Sequence, residues 1–379
     1  MRLTGIGYPS FYQPDHDLGA SLRPGAEGWW NREGHAYVTV NGAGLRDRDH
    51  PTRKPPGTFR IAVLGDSFAE AAQVSMEEAF WSVLERELAG CPRLSGRRPE
   101  VINFGVSGYG TAQELLLFRH RARRYDPDLV LLAFFTGNDV RNNPFALEGD
   151  DLKPYFVLQD HELRPDFHFR ESPAFRAAQT KTAQWKHWIL NQFRVYQVFD
   201  EARRIVRARM REALDPGEAG SAGNPNPWKS FAEGGLDALV YREPRHPDWK
   251  EAWEITERLL VRMRDEVKEQ GAEFLVVTLS SAPQVHPDPR GRRNLADHLG
   301  VPNLLYPDHR IQALGTREDF PVFTLAPLLE RYAEAHQEFL HFTRSGVGTG
   351  HWNREGHRLA GELIAQKVCA NLPTTPLRS

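Results

Sequence analysis

The stretch Arg60-Ile61-Ala62-Val63-Leu64-Gly65-Asp66-Ser67-Phe68 constrains the fold more than any other part of the chain. A short aliphatic run that stops at glycine has the pattern of a strand buried on both faces, as at the centre of a parallel sheet. A polar turn carrying a serine follows, and then a helical pattern. Ser75 and Glu78 stand at capping-box spacing, Phe80, Val83, Leu84 and Leu88 recur at helical period, and Gly90 supplies a stop. Strand, serine turn and helix form the first half of a βα unit, and open α/β sheets place their chemistry just past such strands. Taken alone, a Gly-Asp-Ser turn reads sooner as a polar loop whose serine bonds to its own backbone.

The pattern recurs downstream. Val101-Ile102-Asn103-Phe104 opens into Gly105-Val106-Ser107-Gly108-Tyr109-Gly110-Thr111, and a helix is expected over 112–124 with Leu115, Leu116 and Phe118 on its apolar face. The basic residues at its C-terminal end, Arg119 to Arg124, complement the helix dipole and read as a solvated helix end rather than an anion site. Asp126-Pro127 stops it, and the wholly apolar run 129–135 is a third buried strand ending in Thr136-Gly137-Asn138-Asp139. Residues 249–270 form a helix stopped by Gly271, 273–279 a fourth strand and 321–325 a short fifth one. A last helix begins after Asn353, its N-cap, with Leu359, Leu363, Ile364 and Val368 on one face. Strands alternating with helices imply an α/β fold, a doubly wound parallel sheet whose polar loops converge on one edge.

Two segments stand outside this alternation. Residues 1–57, rich in proline, glycine and aromatics, read as an irregular β-containing arm, with Tyr37-Val38-Thr39-Val40 as a strand and Asn41-Gly42 as a turn. Residues 140–245 read as a mainly helical insertion or lid between core segments 58–139 and 246–379, with a helix over 193–214 and a mobile loop over 215–227. Trp185, Trp188, Phe193 and Tyr196 in it fit helix packing better than a sugar-stacking platform. The hexapeptide Trp-Asn-Arg-Glu-Gly-His occurs at Trp30–His35 and again at Trp352–His357, but the flanking sequences share nothing, so it marks no repeat architecture and reads as coincidence.

Composition excludes several functions. A net charge of −2 over 379 residues offers no field for nucleic acid or an anionic membrane. Cys91 and Cys369 are the two cysteines, too few for a disulfide framework or a thiolate zinc site; two lone buried thiols are expected, although spacing leaves one bridge open. No apolar run has the roughly 20 residues of a membrane helix. The opening residues lack the apolar region of a signal peptide and read as starting mid-element, so a location outside the cytoplasm, or a membrane link, is expected only if an upstream signal or anchor has been lost.

Ser67, Gly108, Asn138 and His351 stand at strand ends or helix starts. Ester chemistry needs these types: an imidazole to take the serine proton, and preorganised donors for the oxyanion, including a backbone N–H that glycine leaves accessible. Gly65-Asp66-Ser67, Asn103 to Gly108, Gly137-Asn138-Asp139 and Gly350-His351-Trp352-Asn353 together resemble, in order and context, the four blocks of the SGNH/GDSL hydrolases. The resemblance runs from about residue 58 to the C-terminus and leaves out the insertion. It implies a flavodoxin-like sheet and metal-free, cofactor-free hydrolysis of acyl esters. Ser67 would be the nucleophile, the Ser67 and Gly108 N–H groups and the Asn138 amide the oxyanion hole, and His351 the general base and then acid.

The chain departs from that pattern at one place. The family carries an aspartate three residues before the histidine, where this chain has Gly348; the residue two before is Thr349. His351 is therefore expected to be oriented by a main-chain oxygen near Gly348–Thr349, or by a distant acid. His357 reads as structural rather than as a metal ligand with His351 and His341, and Asp66 and Asp139 as turn-fixing residues. Thr111 and Gln113 fit substrate contact and helix capping equally. The leading expectation is a serine esterase acting on an acylated small molecule or on O-acetyl groups of a glycan. A cell-envelope polysaccharide O-acyltransferase and a non-catalytic glycan-binding protein, the latter suggested by the absent aspartate, are the alternatives.

Overall fold

Parallel strands β5 (Thr58–Gly65), β6 (Arg98–Asn103), β7 (Leu129–Phe135), β10 (Glu273–Leu279) and β11 (Val322–Thr324) form a sheet in the order β11-β10-β7-β5-β6. Counting core strands alone this is 2-1-3-4-5, the flavodoxin-like order, with its switch point between the first and third. The computed structural model that shows it describes residues 11–31, 33–183, 238–343 and 348–372, with the isolated positions 185, 189 and 203.

The apolar runs lack a polar alternation because each strand feeds two cores. Val130, Leu132 and Phe134 of β7 pack in one core with the helices Thr111–His120 and Pro247–Glu269. Leu129, Leu131, Ala133 and Phe135 pack in the other with the helices Phe80–Leu88 and Arg354–Asn371. Ile61 and Val63 of β5 likewise face the second core while Ala62 and Leu64 face the first. Helices on both faces of a parallel sheet are the physical reason for near-continuous hydrophobic strands.

Local signals account for the element ends. Ser75 and Glu78 form their capping box around a 3-10 turn, Met76–Glu78, just ahead of the helix that starts at Phe80. Asn353 caps the last helix, its side chain accepting the Gly356 N–H at 3.0 Å. The helix expected over 112–124 ends at His120 and continues as a 3-10 turn, Ala122–Tyr125. Its basic end is not simply solvated: Arg119 pairs with Glu266 of the 23-residue helix, and Arg121 with Asp15 of the arm.

The arm folds as two antiparallel hairpins, β1 (Tyr12–Asp15) with β2 (Gly19–Leu22) and β3 (Glu27–Trp30) with β4 (Ala36–Thr39). Phe11, Leu18, Leu22, Trp30 and Val38 join the first core, so the arm is packed into the domain and not merely laid on it. The described part of 140–245 contains a third hairpin, β8 (Tyr155–Gln159) with β9 (Glu162–Asp166), which the expectation of a mainly helical insertion did not include. Most of the helix expected over 193–214, the loop over 215–227, and Trp188, Phe193 and Tyr196 lie outside the described residues; Trp185 is exposed.

The cysteines correct an expectation. Cys91 and Cys369 are not lone thiols but a disulfide, with Cα atoms 5.8 Å apart and a sequence separation of 278. The helices Phe80–Leu88 and Arg354–Asn371 pack closely, a Cβ on Gly361 falling 2.5 Å from that of Val83; Cys369 lies in the last turn of the second helix, and Cys91 follows the end of the first by three residues. Spacing along the chain holds no record of that crossing.

Candidate active site

Strand β5 delivers the serine. Asp66 caps the single helical turn Ser67–Glu70, its Oδ1 accepting the Phe68 N–H at 2.9 Å, and Asn138 Nδ2 donates to its Oδ2 at 3.2 Å. Burial pushes the Asp66 carboxyl up, against the pull of the Phe68 N–H and the nearby His351 and Asn138 side chains. Asp66 thus ties the turn after β5 to the turn after β7 across the switch point.

His351 comes from the opposite end of the sequence, on β13 (Gly348–Trp352), which pairs with β12 (His341–Thr343). Its Nε2 lies 2.7 Å from Ser67 Oγ, and its ring packs against Phe68 at a centroid distance of 4.9 Å. Its Nδ1 lies 2.6 Å from Oε2 of Glu33, while Glu33 Oε1 accepts the His351 N–H at 2.8 Å. The carboxylate grips backbone and ring of the same residue. With a proton on Nδ1, this contact leaves Nε2 as the acceptor facing the serine.

The group at Nδ1 is therefore a distant acid and not a main-chain oxygen near Gly348–Thr349, which corrects that part of the expectation. Glu33 stands in the loop between β3 and β4, 318 residues before the histidine. Gly350 makes room for it: its φ is +90°, and a Cβ there would fall 1.6 Å from Glu33 Oε1. The sequence held no local signal for this residue. Glu33 lies in the first Trp-Asn-Arg-Glu-Gly-His copy, whose hairpin turn is unlike the strand-to-helix junction of the second.

The loop after β6 runs beside the serine turn. Phe104 N–H donates to Val63 O and Val106 N–H to Gly65 O, at 2.8 and 3.1 Å. Gly108 is exposed with φ +80°, and nothing lies within 4 Å of the position a Cβ would take, so its backbone is open to a small ligand. Asn138, buried at its Oδ1, faces the same turn through Asp66.

The remaining residues have other roles. Gln113 donates to Leu18 O of the arm at 2.7 Å, and Thr111 is buried, so neither is open to substrate. Asp139 accepts the Phe135 N–H at 2.7 Å; burial, with Glu114 and Asp66 beside it, pushes its carboxyl well above the usual range. His357 is buried against Phe80 and Trp352, and its Nδ1 accepts the Phe80 N–H at 3.3 Å. Burial pushes both His357 and His341 down to about 3, which leaves them neutral. Among the described residues no group of His, Cys, Asp and Glu is arranged to hold a metal.

Neither protein-family models nor curated protein sequences match the chain. Among solved structures it is similar to the acetyl xylan esterase AlAXEase, at 11% identity and TM-score 0.41, covering 82% of this chain and 99% of that one. It is also similar to a lipase/acylhydrolase from Enterococcus faecalis, at 12% identity and TM-score 0.39, covering 84% and 99%. A third is a putative lipolytic protein of the G-D-S-L family from Desulfitobacterium hafniense DCB-2, at 10% identity and TM-score 0.37, covering 82% and 99%.

Proposed function

We propose that the protein is a serine ester hydrolase that works through an acyl-enzyme. The observation that carries the reading is the unbroken line from Ser67 Oγ to His351 Nε2 at 2.7 Å and from His351 Nδ1 to Glu33 Oε2 at 2.6 Å. That is the geometry of a nucleophile, its base and the acid that orients the base.

The steps follow from the atoms in place. Ser67 Oγ attacks the ester carbonyl carbon while its proton passes to His351 Nε2, and Glu33 stabilises the imidazolium. The carbonyl oxygen, now negative, is held by the N–H groups of Ser67 and Gly108 and by the Asn138 amide proton not used on Asp66. Collapse expels the alcohol, which takes the proton from Nε2. Water then attacks the acyl group with His351 again as base, and Ser67 leaves with its proton restored.

For the substrate we retain the class implied by the sequence resemblance, an O-acetyl group on a glycan hydroxyl. Glu33 weighs against a non-catalytic glycan-binding protein, whose motive was a missing acid. The disulfide supports an oxidising compartment. Among the described residues no helix is long and apolar enough to cross a membrane.

Two measurements test the reading. Hydrolysis of p-nitrophenyl acetate is expected from the wild type and lost in Ser67→Ala. A fluorophosphonate probe is expected to label Ser67, as located by peptide mass spectrometry. Turnover that survives Ser67→Ala, or labelling elsewhere, overturns the mechanism. Acetate release from an acetylated polysaccharide, compared with transfer to an added sugar acceptor, separates an esterase from an acyltransferase.

A further inference from the structure

We infer that the β1–β2 hairpin sets the direction of the Gly108 N–H through Tyr12 and Glu70, which are positioning residues for the oxyanion hole. The inference rests on the proposed ester chemistry for its meaning, but its structural half is testable without it.

Gly108 is exposed, with the torsional freedom of glycine, so something else must aim its N–H. The residues on either side are both anchored. Ser107 N–H donates to Glu70 Oε2 at 2.6 Å, and Tyr12 OH lies 2.9 and 3.0 Å from the two oxygens of that carboxylate, close enough to donate to either. Tyr109 OH donates to Ala20 O at 2.5 Å, and Tyr109 N–H to Val106 O at 3.2 Å. Tyr12 is on β1 and Ala20 on β2, so one hairpin holds both neighbours of the exposed glycine.

Glu70 is well placed for this. It is 1% exposed and closes the helical turn that Ser67 opens, so its carboxylate links the nucleophile's own turn to the loop that would carry the second donor. The turn is held in its place from below. Arg46, also buried, donates to Glu70 O at 2.8 Å and Val74 O at 2.5 Å. The start of the loop is fixed by the same stretch of arm: Asp47 Oδ2 accepts the Asn103 N–H at 2.8 Å, and Asn103 Oδ1 accepts the Gly105 N–H at 2.9 Å. Charge-assisted bonds to a buried carboxylate are short and strong, and a peptide plane next to one has little freedom. No part of this requires Glu70 to touch substrate.

The test uses the full chain and three variants: Glu70→Ala, Glu70→Gln and Tyr12→Phe. Glu70→Gln keeps an oxygen for the Ser107 N–H and should stay within a few-fold of wild type. Removing a donor outright costs about 10²–10³ in kcat, so mis-aiming one should cost Glu70→Ala roughly 10–100-fold, and Tyr12→Phe less, with KM little changed. Affinity for a boronic acid, which forms a tetrahedral serine adduct, should fall in parallel with kcat. Rescue by Glu70→Gln, and loss in kcat rather than KM, are signatures that a merely structural role would not produce. Amide hydrogen exchange supplies the readout independent of activity: in Glu70→Ala the peptide spanning residues 104–110 should exchange about tenfold faster, with other segments of the sheet unchanged. If wild type and Ser67→Ala are both inactive, the ester-hydrolase reading fails, while exchange still reports on Glu70. Unchanged exchange over 104–110, or wild-type kcat in Glu70→Ala, overturns the inference.

Discussion

The carboxylate of Glu33 occupies the space that a Cβ on Gly350 would fill, 1.6 Å from its Oε1. A single side-chain carbon at that position cannot coexist with the contact to His351. Gly350→Ala is therefore expected to act at a distance as a Glu33 variant, besides straining a backbone with φ +90°. Its loss of kcat should approach that of Glu33→Ala, and the double variant should be little worse than either single one. Additive losses would show that the two residues act separately.

Glu33→Gln separates charge from shape. The amide oxygen can still accept the His351 N–H, which leaves the NH₂ group facing Nδ1. Nδ1 must then accept, the proton moves to Nε2, and the ring presents a donor to Ser67 where it needs an acceptor. A triad whose acid is replaced by its amide in this way drops by about 10⁴-fold in kcat. Steady-state kinetics on p-nitrophenyl acetate check it; a loss below tenfold would mean that another group holds the tautomer.

Asn138→Ala removes an amide whose one proton is engaged by Asp66 at 3.2 Å and whose other faces the serine turn in the proposed mechanism. The expected loss is about 10²–10³ in kcat with KM nearly constant. The buried Asp66 carboxyl also loses a partner, so thermal unfolding should be recorded alongside. A folded variant with wild-type kcat would remove Asn138 from the oxyanion hole.

Acid should destabilise the protein through His357. Burial, then the nearby Arg46, holds its imidazole down to about 3, whereas the unfolded chain takes the proton near 6.5. Between those values the unfolded state binds more protons, so stability is lost as pH falls, by up to about 1.4 kcal/mol per unit. Asp308 works in the opposite sense. Burial raises it to about 6, so between about 4 and 6 its contribution declines as pH rises. Urea midpoints from pH 4 to 7 should show a shallower acid loss in His357→Gln than in wild type. An unchanged slope would refute the assignment.

The sheet was legible because its central strands are buried on both faces, which writes 129–135 and 273–279 into the chain as apolar runs. The cap at Asn353 and the turn at Asp66 were legible for a local reason: each acts on N–H groups two or three residues away. Glu33 was not, since its partner is 318 residues distant and its loop carries no pattern tied to the core. The same holds for Glu70 and Ser107, where an ordinary helical glutamate gives no sign that a tyrosine of the arm reaches it. Gln113 shows the same limit: its place near Gly108 left substrate contact and helix capping equally open, and its side chain bonds instead to Leu18 O of the arm.

The bond between Cys91 and Cys369 closes a covalent ring that contains His351 and leaves Ser67 on the tail outside it. A protease that cuts once anywhere inside that ring, including the long excursion after β7, releases nothing. Both fragments stay in one molecule, held within a few residues of the helix pair that flanks the second core. Nicked protein would migrate as two bands only after reduction, with His351 and Ser67 still in one molecule until a reductant frees them.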